Sequence, residues 1–210
     1  MEELVNVLVI NYGMGNLGSV RRALEECGAT VLVSESPEDL AKADRIILPG
    51  VGAFPDAMAR LKAAGWPAKL RATLENPEVH LLGVCLGMQL LADKGHEVSE
   101  TPGLGLIQGE VTRFVPRIGE RVPHIGWNEV LPTQTSSLLA GITSGTDFYF
   151  VHSYHFRAAQ PKNVLATTPY CGEFAAVVGE RNVFGVQFHP EKSSKPGFQL
   201  LRNFLMPSAN

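Results

Sequence analysis

The chain has 210 residues, 45% hydrophobic and 19% charged, and its 18 basic and 21 acidic side chains leave a net charge of −3. This composition excludes a mainly disordered chain, and the charge balance excludes the basic footprint of a nucleic-acid binder. Three cysteines, Cys27, Cys85 and Cys171, are too few for a disulfide framework and odd in number, which points to a reducing compartment.

The first half alternates strand and helix signals. Leu4 to Ile10 is an apolar, β-branched run ending in a Gly-rich turn, and Ser19 to Cys27 has helical periodicity with Gly28 as its stop. Thr30 to Val33 reads as a second strand. Ser36-Pro37-Glu38-Asp39 reads as a helix start, with Ser at the N-cap, Pro at the first helical position and acids in the first turn. Arg45 to Leu48 is a third strand, closed by Pro49-Gly50-Val51-Gly52. Pro55 to Leu74 reads as helix, with Gly65-Trp66-Pro67 a candidate break. Val79 to Val84 is a fourth strand running directly into a helix through Ala92. This βαβαβαβα order predicts a parallel sheet with helices on both faces.

In the second half, short apolar runs around Val111, Val130, Phe148, Leu165, Ala176 and Val183 are separated by Gly, Pro, Thr and Asn turns. They read as hairpins whose antiparallel strands extend the sheet, before a last helix from about Lys195 to Leu205. The expected architecture is a single α/β domain over residues 1–210, with a mixed sheet. The acidic start Met1-Glu2-Glu3 lacks the basic character of a signal peptide. The uncharged stretch Leu4 to Val20 holds three Asn and three Gly, so it is not a membrane span. A cytoplasmic protein without membrane attachment is expected.

Gly83-Val84-Cys85-Leu86-Gly87 sits where a strand turns sharply into a helix, the spacing of a nucleophile elbow with Cys in place of Ser. A side chain on such a turn stands clear of the backbone, the helix start favours the thiolate, and the Leu86 N–H is available to an oxyanion. The plain alternative is a buried structural cysteine beside two packing glycines. A nucleophilic cysteine needs a base, and His189-Pro190-Glu191 closes the buried-strand pattern Val183 to Phe188. Residues two apart on an extended segment face the same way, so Glu191 can hold the His189 ring. The alternative here is a capped strand end with a solvated Glu. Cys85 and His189 are 104 residues apart, so their adjacency is inferred. Ligands collect at the carboxyl ends of strands in open α/β sheets, where the Pro49–Gly52 turn can supply a second oxyanion N–H. No CxxC or HExxH pattern announces a metal site.

A competing pattern is Gly13-Met14-Gly15-Asn16-Leu17-Gly18, a literal G-x-G-x-x-G between the first strand and its helix. Glu35 stands roughly where a ribose-binding acid belongs. It supports a dinucleotide-binding oxidoreductase, but Tyr12, Met14 and Asn16 are bulky or polar for a tight pyrophosphate turn, and that reading leaves Cys85 and His-Pro-Glu unexplained.

Taken together, Gly-Val-Cys-Leu-Gly-Met-Gln and Gly-Val-Gln-Phe-His-Pro-Glu-Lys-Ser resemble the class I (triad) glutamine amidotransferases. Asn11 to Asn16, Leu48 to Phe54, Pro123 to Asn128 and Tyr149 to Tyr154 narrow the resemblance to the glutaminase subunits of imidazole glycerol phosphate synthase. It covers essentially the whole chain. It departs at Asn11, where the family often has Asp, and at Gly18, where it often has Arg. Glutaminases serving anthranilate or aminodeoxychorismate synthases usually carry His where Met88 stands, and they lack the Gly-Met-Gly-Asn turn.

The resemblance implies a flavodoxin-like three-layer fold, with a mixed, mostly parallel sheet and antiparallel strands added in the second half. It implies glutamine hydrolysis by Cys85 as nucleophile, His189 as acid and base, and Glu191 as orienter, with the oxyanion on N–H groups of Leu86 and the Val51–Gly52 turn. Gly52, Gln89, Glu97, Ser153 and Tyr154 would bind glutamine. Asn16, Trp127, Tyr149 and Lys192 would face a (β/α)₈-barrel cyclase subunit, which takes the ammonia to form imidazole glycerol phosphate and aminoimidazole carboxamide ribotide. No cofactor or metal is implied.

Overall fold

A computed structural model of the chain describes residues 5–206. The Met1-Glu2-Glu3 start and Leu4, the expected first residue of the first strand, lie outside the described residues. In chain order the elements are β1 (Asn6–Ile10), α1 (Leu17–Glu26), β2 (Thr30–Ser34), β3 (Arg45–Leu48), α2 (Phe54–Ala63), α3 (Trp66–Thr73), β4 (His80–Val84) and α4 (Leu86–Leu90). There follow β5 (Lys94–Gly95), β6 (Thr101–Pro102), β7 (Gly109–Arg113), β8 (His124–Pro132), β9 (Thr146–His152), β10 (Tyr154–Ala158), β11 (Val164–Thr168), β12 (Phe174–Glu180), β13 (Val183–Val186) and α5 (Ser194–Leu205).

The expected helix after Ser36 is instead a 3₁₀ turn, Pro37–Lys42, and Ser36 makes no side-chain cap. Ser34 Oγ instead organises the turn, accepting the Ser36 N–H at 3.0 Å and donating to Asp39 Oδ2 at 2.7 Å. The break expected after α2 is present: Gly65 takes φ +80° as the N-cap, and Pro67 stands in the first turn of α3.

Among the described residues two sheets form. The larger has nine strands in the order β2-β1-β3-β4-β13-β12-β11-β8-β9. The strands from β2 to β13 are parallel and the strands beyond β13 pair antiparallel. The opening order 2-1-3-4 is that of doubly wound, flavodoxin-like sheets. Period-2 alternation divides the strand side chains between two layers. Leu8, Ile10, Ile46 and Leu48 pack under α2, α3 and α4, whereas Val7, Val9 and Ile47 pack against α1 and α5. In α5 the buried set Gly197, Leu200, Leu201, Phe204 and Leu205 is one helical stripe. Its C-terminal carbonyls are held by the buried Arg45, whose guanidinium donates to Phe204 O at 2.9 Å and Met206 O at 2.7 Å.

Two expectations for the second half are corrected. The Val183 run is not an antiparallel addition: β13 inserts parallel beside β4, with Gly185 opposite Gly83 and Val186 opposite Val84. A strand buried on both faces reads as a continuous apolar run, and such strands belong in the middle of a sheet. The Val111 run does not extend the large sheet either. It forms β7 of a separate four-stranded sheet, β10-β7-β5-β6, in which β10 pairs with it antiparallel.

Candidate active site

The carboxyl ends of β3 and β4 and the segment after β13 converge on one cavity of about 300 Å³, lined by Val51, Gly52, Cys85, Leu86, Gln89, Glu97, Val151, His152, Ser153, Tyr154 and His189. A larger, more apolar cavity of about 530 Å³ lies at the amino ends of the strands, against Phe184 and Phe204, and shares no lining residue with the first.

Cys85 takes φ +55°, ψ −110°, a conformation L-residues avoid, and it is held by the local packing. Its N–H donates to Val186 O at 2.8 Å, tying the elbow to the neighbouring strand. The flanking glycines are sterically required. A Cβ on Gly83 would lie 2.6 Å from Gly87 O, and one on Gly87 would overlap the Leu48 carbonyl oxygen. A Cβ on Gly50 would meet the Tyr12 hydroxyl at 2.6 Å and Leu86 Cβ at 2.9 Å, so the Pro49–Gly52 turn lies close against the start of α4. That helix ends at Leu90, short of the Ala92 expected from sequence. Cys85 is 6% exposed at the cavity.

Chain topology brings His189 to the same cavity, because β13 lies beside β4. His189 N–H donates to Tyr149 O at 2.9 Å, anchoring the turn to β9. Its Nδ1 lies 2.9 Å from Glu191 Oε1, with the side chains only 4% and 3% exposed. Glu191 stands behind the ring and does not line the cavity. Burial opposes a charge on this ring, yet Cys85 and Glu191 together outweigh it and raise the His189 pKa to about 9. His189 Nε2 is buried outside hydrogen-bonding geometry, but close enough to Cys85 for the sulfur's charge to act on it. Such bonds are often long in unliganded sites and tighten with substrate. Tyr12 has its pKa raised by burial and by the nearby Cys85, so it is a neutral phenol whose hydroxyl donates to Pro49 O at 2.9 Å.

The residues expected to bind a ligand are present, with partners of their own. Gln89 Nε2 donates both to Tyr154 O at 2.9 Å and to Gln187 Oε1 at 3.0 Å, which leaves its Oε1 for a ligand. Glu97 Oε2 accepts the Phe54 N–H at 2.8 Å at the start of α2, where a carboxylate complements the helix dipole. Ser153 and Tyr154 line the opposite wall. Val51 is 46% exposed, and Gly52 adopts φ +101°.

Of the residues expected at a protein interface, Trp127 and Tyr149 pair across β8 and β9, with ring centroids 6.1 Å apart and edge-to-face. Lys192 Nζ lies 5.9 Å from the Tyr149 centroid. Trp127 is 53% exposed and shares its strand face with exposed Ile125 and Val151, the latter also lining the cavity. Asn16 is exposed at the N-cap of α1.

Val151, His152 and Gln187 join the site without having been singled out by sequence. For Gln187 the signal was available: it is a polar side chain inside an otherwise apolar buried run. The Gly13–Gly18 segment is committed elsewhere. Asn11 Nδ2 donates to Glu35 Oε1 at 2.9 Å, Asn11 Oδ1 accepts the Gly13 N–H at 3.0 Å, and the Arg60 guanidinium sits where a Gly13 side chain would be. Among the described residues no group of three or more His, Cys, Asp or Glu is gathered as a metal site, and no helix is long and apolar enough to cross a membrane.

Residues 8–207 match the family described as glutamine amidotransferase class-I. The chain is 48% identical over 198 residues to the imidazole glycerol phosphate synthase subunit HisH of Moorella thermoacetica, covering 94% of this chain and 93% of the relative. It is 44% identical over 214 residues to the HisH subunit of Chromobacterium violaceum, covering 98% and 100%. Solved structures share the fold at lower identity. PurLQS from Thermotoga maritima gives a TM-score of 0.75 at 18% identity, covering 97% of this chain and 98% of that one. A glutamine amidotransferase crystal structure gives 0.72 at 21%, covering 93% and 98%. With near-complete coverage at this identity, the chain belongs to the class-I glutamine amidotransferases, in the branch of the imidazole glycerol phosphate synthase HisH subunits.

Proposed function

We propose that the chain, read as one domain over residues 1–210, hydrolyses glutamine to glutamate and ammonia as the glutaminase subunit of an imidazole glycerol phosphate synthase. The observation that carries the reading is the convergence of Cys85, His189 and all the expected glutamine-contacting side chains on one small cavity.

The thiolate of Cys85 attacks the side-chain amide carbon of glutamine. A sulfur–carbon bond forms and the carbonyl oxygen becomes an oxyanion, stabilised by the N–H groups of Leu86 and the Val51–Gly52 turn. His189, held as imidazolium by Glu191, gives its proton to the departing nitrogen as the carbon–nitrogen bond breaks. The now neutral ring takes a proton from water, which attacks the thioester and releases glutamate and the thiolate. Gln89 Oε1, Glu97, Ser153 and Tyr154 hold the ammonium and carboxylate ends of the substrate, and Gly52 lines the same cavity. No step calls for a cofactor or metal.

The partner is a (β/α)₈-barrel cyclase subunit in a heterodimer. It docks on Asn16, Trp127, Tyr149 and Lys192 and receives ammonia through a closed channel, completing a lyase reaction in histidine biosynthesis that also yields aminoimidazole carboxamide ribotide. Val151 links this face to the cavity, which supports an ammonia path between them. The three free cysteines suit a cytoplasmic setting. The open φ/ψ range of Gly52, already at φ +101°, suits an oxyanion N–H that swings into place only in the loaded complex, so the lone chain hydrolyses glutamine poorly.

The test is one synthesis assay with two nitrogen sources. A complex carrying Cys85→Ala should lose glutamine-dependent synthesis and keep synthesis from ammonium salt at high pH. Loss of both in an intact complex refutes the division of labour, and full glutaminase activity in the lone chain refutes the gating.

A further inference from the structure

The Cys85 sulfur has two polar neighbours that the mechanism leaves unused. Its S–H reaches the Val151 carbonyl oxygen at 3.9 Å, and the Gln187 side-chain amide donates to the sulfur at 3.8 Å. These serve opposite protonation states. A carbonyl oxygen accepts from a thiol and repels a thiolate, whereas an amide N–H strengthens as its acceptor gains charge. Gln187 is 0% exposed in an apolar run, where an amide is costly unless its groups are satisfied.

The surrounding hydrogen bonds decide which way that amide points. Gln89 Nε2 donates into Gln187 Oε1 at 3.0 Å, and its other hydrogen goes to the Tyr154 carbonyl at 2.9 Å. Turning Gln187 over would set two NH₂ groups against each other and aim an oxygen at the sulfur. The Tyr154 carbonyl is fixed in turn by His152, whose Nδ1 donates to it at 2.8 Å. His152 Nε2 then accepts from His124 Nδ1 at 3.0 Å, and His124 Nε2 accepts from Asn128 Nδ2 at 3.2 Å. Burial keeps both rings neutral, as this chain of donors requires. Every proton from Asn128 to Gln187 has one place.

We propose that Gln187 is a further catalytic residue of glutamine hydrolysis: its amide N–H holds the Cys85 thiolate, and Gln89 with the Tyr154 carbonyl aims it there. The bond is made before attack, weakens as the sulfur loses charge in the thioester, and is restored when hydrolysis releases the thiolate. His189 and Tyr12 also act on the sulfur, and Glu97 and His152 line the same cavity; the Gln187 substitution below removes none of these groups. The proposal rests on the reading of Cys85 as the nucleophile.

The test is the pH dependence of Cys85 alkylation by iodoacetamide in the full chain, followed by mass spectrometry of the Cys85 peptide. Gln187→Met should slow alkylation at pH 7 by about tenfold and move its midpoint up by about one pH unit, roughly what one hydrogen bond to a charged group is worth. In the unaltered chain, the Gln187 side-chain amide proton resonance should titrate with the same midpoint as Cys85, a readout independent of how well the variant folds. An unchanged midpoint in folded Gln187→Met, or an amide resonance indifferent to the Cys85 titration, overturns the proposal. Failure of Cys85 to be alkylated at all in the unaltered chain would instead defeat the nucleophile reading.

Discussion

His189 Nδ1 and Glu191 Oε1 are 2.9 Å apart across a single proline, and both side chains are almost wholly buried. In that setting Glu191 has no solvent to satisfy it, so its interaction with the ring is strong. With Cys85 it holds the imidazolium up to a pKa of about 9. The falling limb of kcat/KM in the glutaminase assay should therefore lie near pH 9, and Glu191→Gln should bring it down. Glu191→Gln should also cost less activity than His189→Ala, since orienters cost up to about 10⁴-fold but leave the proton carrier in place. Activity in the Glu191→Gln variant as low as in His189→Ala, or lower, contradicts these roles. Because the folded pKa lies above the unfolded value, the stability this ring contributes is complete below about pH 6.5 and is lost as pH rises through about 9.

The thiols should separate by reactivity. Burial raises the pKa of both Cys27 and Cys171, and at Cys171 the neighbouring Glu120 carboxylate raises it further. A glutamine-like electrophile should label Cys85 alone, and Cys85→Ala should abolish glutaminase activity with an unchanged thermal midpoint. Labelling of Cys27 or Cys171 with loss of activity, and none at Cys85, rejects the assignment.

A cluster of histidines behind the cavity predicts an acid limit on stability. Burial depresses His124 to about 4, His152 to about 3 and His155 to about 4. Between those values and about pH 6.5 the unfolded chain binds more protons than the folded one, so stability falls as pH falls. Each ring contributes at most about 1.4 kcal/mol per pH unit, less where water reaches it. Urea midpoints measured from pH 7 to 4 should drop steeply. His155→Phe, which keeps the stacking against Phe114 at 4.6 Å, should flatten that slope.

Two glycines make opposite predictions for the same substitution. Gly87→Ala drives a methyl into the Leu48 carbonyl and should unfold the elbow, costing at least about 3 kcal/mol. Gly18 lies inside α1 with nothing within 4 Å of an added Cβ, so Gly18→Ala should stabilise by about 0.5–1 kcal/mol. Thermal melting of the two variants decides both.

Trp127 is the exposed aromatic anchor of the face that carries Tyr149 and Lys192. Trp127→Ala should weaken cyclase binding by about 2 kcal/mol or more, read by titration calorimetry, while the melting temperature of the lone chain moves little. Unchanged affinity would remove this face from the interface.

Much of the site was legible along the chain because its chemistry is written in contiguous segments. Gly83 to Gly87 needs small residues on both sides of a strained turn, and His189-Pro190-Glu191 sets base and orienter two residues apart, so local spacing made both candidates, and the family resemblance chose between them and their structural alternatives. The strands of the first half were legible for the same reason: each is a short apolar run between turns. What the sequence could not decide was which strands would be neighbours. The Val183 run carries no mark of direction, and only its pairing with β4 brings His189 within reach of Cys85, 104 residues away. The roles of Gln187 and of the His152–His124–Asn128 chain were hidden for a related reason, although Gln187 stood out as a polar residue in an apolar run. Their hydrogen bonds join separate strands, and a buried polar side chain shows its purpose only when its partner, far away in sequence, is folded against it.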